Sequence, residues 1–189
     1  SDLIDLFERA AEAMRTSPLR DGSTVRLPAT GRLLATGDLH DNPIHLAKVI
    51  RAARLDASPD HHVVLHELIH GDRLINGMDF SHRMLAKVAT LVLDRPGQVH
   101  PMLGNHEIAQ LTNRGVSKGA GNSVELFDEA IEYAFGDDWE DVAGAIDVFM
   151  AAMALAVRSD SGVLCAHSLP AAHQMKKFDA GVLGRVLTH

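Results

Sequence analysis

Four short polar motifs, each placed where an apolar run stops, constrain this chain more than any other feature. Gly37-Asp38-Leu39-His40-Asp41-Asn42 follows the run 32–36, and Gly71-Asp72 follows 62–69. Gly104-Asn105-His106-Glu107 follows 99–103, and Cys165-Ala166-His167 closes 162–164. Short apolar runs bounded by Gly and polar residues read as buried strands. Ligand-type side chains delivered from successive strand ends converge on one edge of a sheet. That is how a protein assembles a dinuclear metal centre. A single Gly-Asp at a strand end is ordinarily a turn; four such signals in order point to a site.

The donor types define the chemistry. Asp38 and His40 are two residues apart, so extended backbone puts both on one face, where they can hold one cation. Asp72 has two oxygens and can bridge two cations. Asn105 offers an amide oxygen and His167 an imidazole. A nitrogen and oxygen set without thiolate suits Mn, Fe, Zn, Co or Mg and does not choose among them. Two such ions about 3.5–4 Å apart orient a phosphate and acidify a bound water. His106, beside a proposed ligand, is placed to protonate a leaving oxygen.

On these motifs the chain resembles the calcineurin-like metallophosphoesterases, over about residues 33–167. The resemblance implies an α/β fold, the four-layer α/β/β/α sandwich, with a helical insert at 124–158 in a single domain spanning 1–189. It implies hydrolysis of a phosphoester or phosphoanhydride with two divalent metal ions. Residue by residue, Asp38 and His40 would bind the first metal, Asp72 would bridge, and Asn105 and His167 would bind the second. His106 would be the catalytic histidine. The Gly-Asn-His-Glu form is most similar to the branch of the Ser/Thr protein phosphatases and diadenosine tetraphosphate hydrolases, so the expected partner is a small phosphorylated substrate or a phosphoprotein.

Departures accompany the match. In that branch the second block reads Gly-Asp-x-x-Asp-Arg-Gly, whereas here it is Gly71-Asp72-Arg73-Leu74-Ile75-Asn76-Gly77. Ile75 replaces the second Asp and Asn76 the phosphate-clamping Arg, so bidentate recognition of a phosphate is missing. Arg73, Asn76, Arg114 and Lys118 are the candidate substrate contacts, and Asp79 is a substitute to orient His106. The family also closes its site with a late Gly-His segment, which neither His173 nor His189 reproduces. Truncation, replacement of those ligands by water, and a degenerate member are the three readings, and Ser1 at the first position favours truncation.

Composition excludes several classes. Hydrophobic residues make up 46% of 189 residues, enough for a substantial core. No apolar run reaches the roughly 18–20 residues of a membrane span. The single cysteine, Cys165, forms no intrachain disulfide and points to a cytoplasmic setting. A formal charge of −7 argues against a nucleic-acid coat.

Periodicity predicts helices over 2–15, 43–55 and 80–93, strands over 25–27, 32–36, 62–69 and 99–103, and largely helical structure over 124–158 as a cap. Residues 113–123 read as a loop, either a solvated linker or a lid. Of the twelve histidines, His61 and His62 are expected exposed, and His45, His82 and His100 at the surface or in caps. His70 is a candidate partner behind the ligands. Glu67 is expected on the opposite strand face, in a structural role. Two further functions stand beside the phosphoesterase: a binding or scaffold module of the same fold without turnover, and a nucleotide pyrophosphohydrolase.

Overall fold

The computed structural model describes residues 2–114, 117, 118 and 121–186. Its helices are α1 (Asp2–Arg15), α2 (Pro43–Ala53), α3 (His82–Asp94), α4 (Asn105–Leu111), α5 (Ser123–Phe135) and α6 (Trp139–Ala151). Its strands are β1 (Arg20–Asp21), β2 (Thr24–Leu27), β3 (Arg32–Asp38), β4 (His61–His66), β5 (Val99–Pro101), β6 (Ser117–Lys118), β7 (Gly121–Asn122), β8 (Ala156–Ser159) and β9 (Leu164–Ala166).

Strands β3, β4 and β5 form a parallel sheet in that order. Parallel neighbours require crossovers, which the 3.6-periodic segments α2 and α3 supply. Asn42 caps α2 by accepting the His45 N–H at 2.9 Å, and Pro43 opens the helix where a missing N–H costs nothing. Because all three strands run the same way, their C-terminal ends share one edge, the usual place for a site in α/β sheets. A second sheet has the order β1-β2-β8-β9, with β2 parallel to β8 and β8 antiparallel to β9. The two sheets face each other through Val25, Leu27 and Val157 on one side and Val64 and Met102 on the other.

The larger core lies on the other face of the first sheet. Phe7, Ala10, Ala11 and Met14 of α1 pack there with Leu85 and Val88 of α3 and Phe149 and Met150 of α6. Phe7 and Phe149 meet at a centroid distance of 5.3 Å. Two sheets packed face to face, with helices over the first, form a mixed α/β architecture. On the outer side of the second sheet, Val182 and Leu183 of the 3-10 turn Ala180–Gly184 line a cavity with Ala156 and Leu164. The segment 124–158, expected as a cap, supplies α5 and α6 to the main helical layer and then β8 to the second sheet. Its apolar stripes are continuous with the domain core, which is why it packs inside rather than over the site. Among the described residues no helix is long and apolar enough to cross a membrane.

Three histidines expected near the surface are buried: His62, His82 and His100. The His62 Nδ1–H is shared between Gly97 O at 3.0 Å and His100 Nε2 at 3.2 Å. A neutral imidazole with its hydrogen bonds satisfied is tolerated inside, and period-two alternation alone does not reveal that pairing. Burial first, then the neighbouring His62, lowers His100 from 6.5 to about 3; burial lowers His82 to about 4. A base with a depressed native pKa contributes stability that is present above pH 6.5 and lost as the pH falls toward that native value. The thermal midpoint is therefore expected to drop steadily from pH 6.5 to pH 4, and less steeply in His100→Gln. An unchanged slope in that variant would remove His100 as the cause.

Candidate metal centre

The loop after β3 is zipped to the loop after β4 by backbone bonds. The His40 N–H donates to Glu67 O at 2.7 Å and the Asp41 N–H to Leu68 O at 3.0 Å. Both turns are tight: His40, Asp41 and Glu67 have φ of 40°, 49° and 44°, a left-handed conformation that non-glycine residues adopt at some cost. The His40 Nδ1–H donates to Ile69 O at 3.0 Å, which leaves Nε2 with its lone pair 3.8 Å from Asp38 Oδ2. An imidazole so anchored through one nitrogen is the usual form of a metal ligand.

Glu67 occupies the centre. Its side chain is 1% exposed. Oε1 accepts the His106 N–H at 3.3 Å and lies 3.2 Å from His167 Nε2. Oε2 lies 3.7 Å from His106 Nε2 and has no hydrogen-bond partner. His167 also places Nε2 2.8 Å from Asn105 Oδ1 and Nδ1 4.0 Å from Asp38 Oδ1. Donor atoms of His40, Glu67 and His106 all lie within 4.8 Å of one another. No Lys or Arg among the described residues pairs with Asp38 or Glu67. Two carboxylates among imidazoles, one oxygen orphaned in the interior and no basic counter-charge, fit a bound cation.

Five of the six ligand and catalytic positions read from the motifs thus come together: Asp38, His40, Asn105, His106 and His167. Asp72 does not. It is exposed, it stands outside the group that His40, Glu67 and His106 form, and Glu67 takes the central place expected of it. The reason is where β4 stops. The apolar run predicts a strand over 62–69, but the strand ends at His66, opposite Asp38 in the register. Leu68 and Ile69 are core residues of the following loop, at 0% exposure. The available signal was His66-Glu67 interrupting the apolar run.

The remaining candidates scatter. Arg73 is exposed and 3.8 Å from Asp41 Oδ2, beside the first motif. Asn76 sits at φ 52° in the exposed turn between Ile75 and Met78, and Arg114 and His173 are exposed. The Lys118 side chain, His189 and part of the expected lid lie outside the described residues. Asp79 pairs with His70 at 2.8 Å.

Glu107 lies in the first turn of α4, where its charge suits the helix N-terminus, and its side chain reaches the loop after β4. Oε1 accepts the Leu68 N–H at 2.7 Å and the Ile69 N–H at 3.4 Å, and Oε2 accepts the Gly104 N–H at 3.0 Å. It clamps the loop that carries Glu67 to the start of α4. Burial first, and the Glu67 charge second, push its carboxyl up to about 7. Gly104 is needed for space: a Cβ there would overlap Glu67 Oε1. Gly104→Ala is expected to fold yet displace the Glu67 carboxylate, lowering divalent-metal affinity by at least about tenfold in a calorimetric titration, the scale of a disturbed outer-shell partner. Unaltered affinity would show that Glu67 is not a ligand.

A two-sheet α/β fold gathers carboxylate, imidazole and amide donors at its strand ends, a donor set that can hold divalent cations. The family model of the calcineurin-like phosphoesterases matches residues 31–186, and the chain belongs to that family. Among solved structures it is similar to a serine/threonine phosphatase from Saccharomyces cerevisiae described as similar to human phosphatase PP5. The TM-score is 0.64 at 17% identity, covering 89% of this chain and 48% of the yeast chain. At that identity the likeness concerns the fold, and this chain spans about half of the yeast protein's length. No curated protein sequence matches it.

Proposed function

We propose that this member of the phosphoesterase family hydrolyses phosphoester bonds with two divalent cations held by Asp38, His40, Glu67, Asn105 and His167. The observation that carries the reading is the buried Glu67 carboxylate, whose two oxygens face different imidazoles, His167 and His106, without a basic partner. Asp38 and His40 would hold one cation, Asn105 and His167 the other, and Glu67 would stand between them. The cations supply Lewis acidity to a phosphoryl group and acidify water. His106 is the proton donor to the leaving oxygen: its Nε2 faces the cluster, and its ring is packed edge-on against His40 at 5.1 Å. Arg73 is the cation best placed to meet substrate phosphate, because Asp41 holds it next to the first motif.

A second reading, a phosphoesterase-fold binding module without turnover, is favoured by Asn76 standing in a solvent-exposed turn where the family's phosphate-clamping Arg is expected. Metal analysis after dialysis against Mn or Zn, with bis-p-nitrophenyl phosphate turnover on the same sample, separates the two. About two metals with turnover support the enzyme; bound metal without turnover supports the module. His106→Ala is expected to retain both metals and reduce turnover by roughly 100- to 10,000-fold, the usual contribution of a positioned acid. Loss of metal in that variant would make His106 a ligand.

A further inference from the structure

A cavity of about 470 Å³ opens beside the candidate metal centre, and Asn105 and His167 form part of its wall. Its floor is the outer face of the second sheet. Val157 points into the core between the sheets, so the preceding Ala156 points outward. Ala166, opposite Ala156 in the register, shares that face. Alanines side by side leave depth that larger side chains would fill.

The far wall is the 3-10 turn Ala180–Gly184, and it is fastened in place. Ser23, 0% exposed, donates from Oγ to Val182 O at 2.8 Å. Asp179 caps the turn by accepting the Gly181 N–H at 2.9 Å. Gly22, at φ 61°, lets the turn come close, because a Cβ there would overlap Gly184. Leu164, Phe178, Val182 and Leu183 make the walls apolar, and no Lys, Arg, Asp or Glu among the described residues lines them. Leu164 and Phe178 nevertheless stay 54% and 41% exposed. Apolar side chains left open to water around a concavity mark a binding surface. Small-molecule sites enclose roughly 300–1,000 Å³, with mostly apolar walls and a few polar groups that fix orientation. Here those polar groups are Asn105 and His167, whose Oδ1 and Nε2 lie 2.8 Å apart and which also face the metal cluster.

We propose that this cavity holds the organic group of the phosphoester and selects substrates in which that group is uncharged and apolar. The assignment rests on the reading of the adjacent cluster as the centre that hydrolyses the ester. With the phosphoryl group at the cluster, the organic group extends past Asn105 and His167 onto Ala156, Leu164 and Phe178. A charged group there would lose its hydration and find no counter-charge. A second phosphate or an ionised side chain is therefore a poor fit, and Leu164 and Phe178 are the specificity residues.

The test uses the whole chain loaded with zinc. Alkylphosphonates carry a head group that is not hydrolysed and a single organic group. Against bis-p-nitrophenyl phosphate turnover, hexylphosphonate should inhibit at least about tenfold more tightly than methylphosphonate, the scale of one well-buried methylene. 6-Aminohexylphosphonate should lose that gain. Leu164→Asp combined with Phe178→Ser should abolish the hexyl advantage and leave inhibition by methylphosphonate within about twofold, as expected of substitutions that do not touch the phosphonate site. Both positions are exposed, so the fold tolerates the changes. Equal inhibition by the hexyl and methyl compounds, or a hexyl advantage that survives in the double variant, would overturn the proposal. Should the loaded protein show no turnover, the phosphoesterase reading fails and 13C-methyl spectra decide the cavity separately. Hexylphosphonate should then shift the methyls of Leu164, Val182 and Leu183 while methylphosphonate does not, and unmoved methyls would overturn the proposal. A dimer in sedimentation that Phe178→Ser dissociates would assign this face to a second copy of the chain and overturn it as well.

Discussion

Glu67→Gln is expected to lower divalent-metal affinity by more than the roughly 10–100-fold typical of an outer-shell partner, and to lower turnover with it. The substitution keeps size and one oxygen but removes the charge that offsets cation desolvation in a buried site. Its effect on the metal-free protein runs in the opposite direction. Without a cation, Glu67 is a buried carboxylate with an orphaned Oε2, and its charge helps raise the Glu107 pKa to about 7. Removing that charge relieves both costs, so the metal-free thermal midpoint should rise. Asp72→Asn, at an exposed position outside the group formed by His40, Glu67 and His106, should change neither quantity. Calorimetric titration with Mn or Zn and melting with and without metal check all of this. Loss of affinity in Asp72→Asn with none in Glu67→Gln would restore the assignment read from Gly71-Asp72.

Glu107→Ala is expected to be the most destabilising single change. It orphans the buried N–H groups of Leu68 and Gly104 and removes the longer bond from Ile69. Each buried donor left unsatisfied costs about 1–3 kcal/mol, so the total is roughly 3–5 kcal/mol. For a chain of this size that lowers the melting midpoint by about 10 °C. Glu107→Gln keeps an oxygen for one of the donors and turns an N–H₂ toward another, so it should fall between the native protein and Glu107→Ala. Chemical denaturation at pH 7 would measure both. A loss under about 1 kcal/mol for Glu107→Ala would mean that water replaces the carboxylate and the clamp is dispensable.

Much of the fold was legible because it follows from periodicity. The stripe of α1, the Asn42-Pro43 start of α2 and the strands β3 and β5 come from local patterns that tertiary packing reinforces. Histidine burial was not legible. Whether His62 and His100 face water depends on a partner 38 residues away, and no local pattern encodes that distance. Nor was the place of α5 and α6. Their stripes announce helices but do not state which surface they cover, and Phe149 finds Phe7 from the other end of the chain.

At the site, the sequence by itself determined the donor chemistry and most of its members. Asp38, His40, Asn105, His106 and His167 sit at strand or helix boundaries, where side-chain direction follows from local geometry. Which carboxylate stands between them was decided only by the tertiary structure. β4 ends opposite Asp38 at His66, so chain direction and pairing register bring Glu67 to the shared sheet edge and carry Asp72 past it into solvent. A shift of a few residues along one strand moves a different side chain to that edge, and register is set by the partner strand, not by the run of residues itself.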